Sequence, residues 1–156
     1  MYKSKSLKET ENIAKIILKN IISLDKKKKK EATVLVCSGN LGSGKTTFVK
    51  KLAKVLGIKK GITSPTFVLE KIYSLSKKVE KNFGFSRLVH IDAYRIEKIN
   101  ELKPLRFKEL SMDPQNLIVI EWGEKIKKAL PKSYKKLKFL YVDEKTRHIK
   151  FLNSSR

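Results

Sequence analysis

The sequence predicts an α/β domain that ends in a β-hairpin, and three observations predict it. Short apolar runs of strand character alternate with segments of helical periodicity. A glycine-rich loop, Gly39 to Thr46, lies between one such strand and one such helix. The last stretch, KLKFLYVDEKTRHIKFL, alternates apolar and polar residues on either side of a polar turn near Glu144 and Lys145.

The elements follow in order. MYKSKSLKETENIAK is charged and helical in pattern, and Ser6 with Glu9 fits a capping box at the start of a helix over 6–24. Ile13, Ile16, Ile17, Asn20, Ile21 and Leu24 form its apolar stripe, with Asn20 the one polar member. The lysine run 26–30 ends it, because adjacent like charges repel and stay solvated. TVLVCSG is β-branched and apolar, the pattern of a buried strand. A helix is predicted from about Lys45 to Leu56, with Phe48, Leu52 and Val55 inward and Gly57 as its stop. ITSPTFVLEKIYSL reads as a loop and then a strand of mixed pattern. SRLVHIDAYR holds a second apolar strand ending near Asp92, and INELKPLRFKELSMD reads as short helices broken at Pro104. Leu117 to Ile120 forms a third apolar strand, and a short helix then stops before Pro131.

Length and composition bound the rest. The 156 residues are expected to form one domain, and 40% hydrophobic residues are too many for a disordered chain. Cys37 is the only cysteine, so no internal disulfide forms, and no Cys/His spacing suggests zinc. No apolar run approaches the about 20 residues of a membrane span, and the N-terminus lacks the apolar core of a signal peptide. A soluble, cytoplasmic chain is the expectation. The net charge of +22 would attract a polyanion such as nucleic acid. However, 32 of the 37 basic residues are scattered lysines, and dedicated phosphate and base readers use arginine, whose planar fork bonds bidentately. The excess is therefore read as lysine-rich composition.

The chemistry concentrates in Gly39-Asn40-Leu41-Gly42-Ser43-Gly44-Lys45-Thr46, which fits GxxxxGK[ST], the phosphate-binding loop. Glycines let the backbone adopt positive φ so that successive N–H groups face phosphate oxygens, and the following helix adds its positive end. Lys45 would neutralise the β- and γ-phosphates, and Thr46 would place a hydroxyl on magnesium. The nucleotide-binding run is Leu41, Gly42, Ser43, Gly44, Lys45, Thr46 and Thr47. Asp92 and Glu121 each end an apolar strand, and ligands of open sheets bind beyond those ends. Either acid could hold the metal, with the other orienting water. Thr66, in Thr63-Ser64-Pro65-Thr66, is placed to sense a γ-phosphate or is part of an ordinary turn. His90 reads as a satisfied core histidine, Arg95 as pairing an acid or reaching a phosphate, and Tyr94 and Trp122 as packing.

GNLGSGKTT, ITSPTF, HIDAYR and IEWGE, in this order and spacing, resemble the TsaE (YjeE) family, small bacterial ATPases of the tRNA threonylcarbamoyladenosine pathway. The resemblance runs from Ser6 to Leu152. It implies a P-loop NTPase-like three-layer domain with a mixed, largely parallel sheet. It also implies ATP hydrolysis with Mg2+ and association with the proteins TsaD and TsaB. That core attaches threonylcarbamoyl to adenosine 37 of tRNA, so tRNA is met indirectly. Hydrolysis supports turnover of the core and is not the transfer itself. By motif, Lys45 and Thr46 take the phosphate and magnesium roles and Glu121 the metal role. Asp92 matches the Walker B acid, Thr66 the switch threonine and Trp122 the motif tryptophan. The resemblance adds Ser6 and Thr10, at the first helix, and Arg147, in the hairpin, to the nucleotide pocket. The chain departs from the pattern at Asn40, Gly123 and Ala93, the last expected to loosen packing beside Asp92.

Two other readings remain at this stage. A small-molecule or nucleoside kinase shares the loop but closes arginines over the phosphoryl group, and the chain has five arginines with no arginine-rich segment. A nucleic-acid-binding module would grip tRNA alone with a steep salt dependence. The absence of N-K-x-D argues against guanine recognition.

Overall fold

The computed structural model describes residues 1–24, 30–59 and 69–153. Strand β1 (Tyr2–Ser4) leads into helix α1 (Leu7–Leu24), then β2 (Thr33–Ser38) and α2 (Lys45–Val55). There follow β3 (Glu70–Ser74), α3 (Lys77–Phe83), β4 (Arg87–Asp92), a 3-10 turn (Ile99–Leu102) and α4 (Phe107–Met112). Strand β5 (Asn116–Glu121), a second 3-10 segment (Gly123–Ala129), β6 (Lys135–Tyr141) and β7 (Arg147–Asn153) complete the described chain. The strands form one sheet in the order β1-β7-β6-β2-β5-β4-β3. Its four central strands, β6, β2, β5 and β4, run parallel, and both margins are antiparallel.

Strands covered on both faces read as continuous apolar runs. Leu35 and Cys37 of β2, with Leu117 and Val119 of β5, pack beneath α1 and α2. Val34, Val36, Ile118 and Ile120 face the opposite layer, built from the 3-10 segments and α4. This gives the three layers. Phe48 of α2 meets Phe139 of β6 edge-on, with ring centroids 5.5 Å apart, and so ties the loop-bearing helix to the sheet. Ala93 is fully buried in the second core cluster. Gly123 stands close under β2, where a Cβ would lie 2.7 Å from a Val36 methyl.

The sequence expectations meet the structure at most elements. Helix α1 starts with the Glu9 N–H donating to Ser6 Oγ at 3.1 Å, although the Glu9 carboxylate accepts from the Lys5 N–H, one residue earlier than in a capping box. Asn20, the polar member of the stripe, donates to the Tyr2 hydroxyl at 3.2 Å. The hairpin β6–β7 and the helix stop at Gly57, with φ +78, are as expected. Two elements differ. Tyr2–Ser4 is a strand rather than the lead-in to a helix, because it pairs with β7, and a three-residue edge strand carries no readable periodicity. Helix α3 has no counterpart in the expectations; it is capped by Ser76, whose Oγ accepts from the Val79 N–H, and ended by Gly84 in the left-handed region. The lysines 26–29 and Thr66 lie outside the described residues. Among the described residues, no helix is long and apolar enough to cross a membrane.

Phe48 is fully buried. Its replacement by alanine is expected to cost about 3–5 kcal/mol, read as a lower urea midpoint with an unchanged slope.

Candidate functional site

The site is assembled where β2, β5 and β4 end side by side. Glu121, the last residue of β5, is in register with Cys37 of β2 on one side and Asp92 of β4 on the other. The loop leaving β2 passes over this edge. Gly39 takes φ +144, and a Cβ there would meet the Phe139 carbonyl oxygen at 2.4 Å, so no side chain fits. Gly42 and Gly44 also have positive φ, and Gly44 caps α2. Turns of this kind form anion-binding concavities of backbone N–H groups, to which the helix adds its partial positive charge.

Lys45 opens α2 and folds back over the loop. Its Nζ donates to the carbonyls of Gly39 at 2.7 Å and Asn40 at 2.9 Å, and lies 3.7 Å from the centre of the Trp122 ring. Burial holds its ammonium pKa below the ordinary 10.5, and the negative charge of Glu121 opposes that shift. Thr46 Oγ1 donates to Glu121 Oε2 at 2.6 Å. The other oxygen, Oε1, lies 2.9 Å from His90 Nε2. Asp92 Oδ1 accepts from the Tyr94 N–H at 3.0 Å. Burial pushes the Cys37 thiol well up, reinforced by the charge of Glu121.

Trp122 is more than packing. Its backbone sits in the left-handed region, with φ +58, a conformation costing about 1–3 kcal/mol for such a residue. The Trp122 N–H donates to the Cys37 carbonyl at 3.0 Å, and the ring leans on Tyr94 at 5.2 Å. These contacts hold the indole where Lys45 lies over it. Arg147 reaches the loop from β7. Its Nε donates to the Gly42 carbonyl at 3.2 Å, and its guanidinium lies over Tyr141, 4.4 Å from the ring centre.

Two clefts meet at Gly42, Gly44 and Thr47. The first, about 310 Å³, brings Ser6, Thr10, Ser43 and Arg147 together. The second, about 420 Å³, gathers Leu41, Lys45, Thr46, Asp92, Glu121 and Trp122. Every described residue assigned above to the nucleotide or metal site therefore lines one cleft or the other, whereas Arg95 lines neither. Thr66 lies outside them. Ser4 was not foreseen: it lines the first cleft and shares a 2.8 Å hydroxyl hydrogen bond with Thr10. A three-residue strand offered no signal for it. His90 is a core histidine, as expected, but only half satisfied: Nε2 meets Glu121, while the buried Nδ1 has no partner among the described residues.

The donor set suits a magnesium-bound triphosphate. Thr46, Glu121 and Asp92 offer hard oxygen atoms, which magnesium selects. Ser43 Oγ is buried, lines the first cleft and lacks a hydrogen-bond partner among the described residues. Such an orphaned hydroxyl beside a concave loop fits a phosphate oxygen.

The loop, the helix behind it and the acids across the strand ends define a phosphate-loop α/β domain. A family model described as threonylcarbamoyl adenosine biosynthesis protein TsaE matches residues 4–149. A tRNA threonylcarbamoyladenosine biosynthesis protein TsaE from Rickettsia prowazekii (strain Madrid E) is 36% identical over 131 residues, covering 83% of this chain and 78% of the relative. The protein of that name from Bacillus subtilis (strain 168) is 33% identical over 126 residues, covering 78% and 70%. The crystal structure of YdiB, also from Bacillus, superposes with a TM-score of 0.68 over 99% of this chain and 84% of that one, at 24% identity, and shows the same fold. The chain belongs to the TsaE family, and thus to a family of tRNA threonylcarbamoyladenosine biosynthesis.

Gly39→Ala is expected to displace the loop, because both φ and the Phe139 carbonyl oppose a side chain. Calorimetry should show nucleotide binding lost while the circular dichroism of the fold persists.

Proposed function

We propose that this chain binds ATP with Mg2+ across the two clefts and hydrolyses it, as the ATPase serving a tRNA-modifying core of TsaD and TsaB. The observation that carries the reading is the 2.6 Å hydrogen bond from Thr46 to Glu121, set beside Lys45 at the start of α2. It joins a loop hydroxyl to a strand-end carboxylate, the pair that a metal–phosphate site needs. ATP would supply the phosphoryl group and magnesium would neutralise its charge.

The chain's own residues divide the remaining work. The loop from Leu41 to Thr47 holds the phosphates. Lys45 would exchange the Gly39 and Asn40 carbonyls for phosphate oxygens, and an anion there would oppose the effect of burial on its charge. Thr46 and Glu121 hold the metal, and Asp92, one strand further out, acts through water. Ser6, Thr10 and Arg147 enclose the nucleoside side. Thr66 serves as the switch threonine of the family motif. Family membership supports a role in tRNA threonylcarbamoyladenosine biosynthesis; TsaD and TsaB as partners, tRNA as an indirect one and the cytoplasm as the setting are part of the same proposal. The kinase reading lacks support at the second cleft, because none of the described residues lining it is arginine.

Lys45→Ala is expected to abolish triphosphate binding in calorimetry. Glu121→Ala should retain much of the affinity but lower magnesium-dependent turnover by about 10²-fold or more. Normal turnover in Glu121→Ala would transfer the metal role to Asp92. A pull-down with TsaD and TsaB should be strong with ATP and weak for Lys45→Ala; equal recovery of both forms would mean that nucleotide does not govern assembly.

A further inference from the structure

His90 lies in β4 between Val89 and Ile91 and is fully buried. Its register partner on β5 is Val119, which makes Glu121 its diagonal neighbour on the same face. His90 Nε2 stands 2.9 Å from Glu121 Oε1, while Glu121 Oε2 accepts from Thr46. The remaining ring nitrogen, Nδ1, has no partner among the described residues. Buried polar atoms are nearly always paired, so a half-satisfied imidazole in this apolar strand is a cost that its single bond must offset.

Resting on the function proposed above, we infer that His90 is a positioning residue for Glu121, fixing the carboxylate so that Oε2 is presented to Thr46 and the metal. An ionised carboxylate only accepts hydrogen bonds, so contact with one requires the proton on Nε2. The opposite tautomer would set a lone pair against Oε1 and bury an N–H without an acceptor, which costs more than an unpaired nitrogen lone pair. The terminal torsion of glutamate is broad and roughly two-fold. A bond to Oε1 removes that freedom and leaves one oxygen for the metal side. Partners of this kind behind a metal-ligating group typically affect metal affinity or activity by 10–100-fold.

The test compares His90→Gln, His90→Asn and His90→Leu with the wild-type chain. Calorimetry measures ADP binding in chelator and then across a magnesium titration, with thermal unfolding alongside. Glutamine can place an amide N–H near Glu121, whereas asparagine is one methylene too short and leucine has no donor. The expected result is a near-normal magnesium requirement for His90→Gln. His90→Asn and His90→Leu should require about 10–100-fold more magnesium while keeping their affinity in chelator. A purely structural role would lower the melting point and the chelator affinity together without changing the magnesium requirement, and would overturn the inference. An unchanged requirement in all three variants, with the wild type showing a magnesium effect, would overturn the role of His90 alone. No magnesium effect in the wild type would overturn the proposed function and the role of His90 with it. If His90→Leu fails to fold, the contrast between glutamine and asparagine decides the outcome.

Discussion

The hydrogen bond between Thr46 and Glu121 joins two parts of the chain that are 75 residues apart. It connects the first turn of α2 to the end of a strand buried on both faces. The contact depends on the parallel register of β2, β5 and β4, which sets Cys37, Glu121 and Asp92 in a row at one edge. A shift of one residue would turn both acids to the other face of the sheet. The two core clusters fix that register by packing opposite faces of the same strands.

The polar groups at this buried edge each have partners. Lys45, Asp92 and Glu121 are all buried, and taking unpaired charges out of water is expensive. Lys45 is held by loop carbonyls and an aromatic face, Glu121 by a hydroxyl and an imidazole, and Asp92 by a backbone N–H. Several of these partners are the groups a phosphate or metal would replace. Under the proposed function the site would thus be organised in advance, which reduces the ordering cost of binding.

The second cleft belongs to the central sheet, whereas the first belongs to the margin. Pairing of β1 with β7 sets Ser4 opposite Arg147 in register. Ser4 then meets Thr10 from α1, and Arg147 reaches back to Gly42. Residues from both ends of the described chain are brought to one side of the phosphate loop. The +22 charge plays little part in this geometry. Its lysines are spread along the chain; among the described residues Lys45 lines the second cleft, and Lys5 and Lys145 line the first.

The sequence by itself determined the strand–loop–helix, the strand ends at Asp92 and Glu121 and the hairpin. Each is written in local terms: glycine spacing, apolar runs and strict alternation survive in any tertiary context. The four motifs, taken together, also identified the family. Tertiary structure alone decided which acid meets Thr46, because that depends on which strand lies next to β2. It likewise decided that Tyr2–Ser4 is a strand, that Ser4 belongs to a cleft and that His90 bonds Glu121. Those outcomes come from pairing between segments far apart in the chain, and neighbouring residues carry no record of which distant strand they will meet.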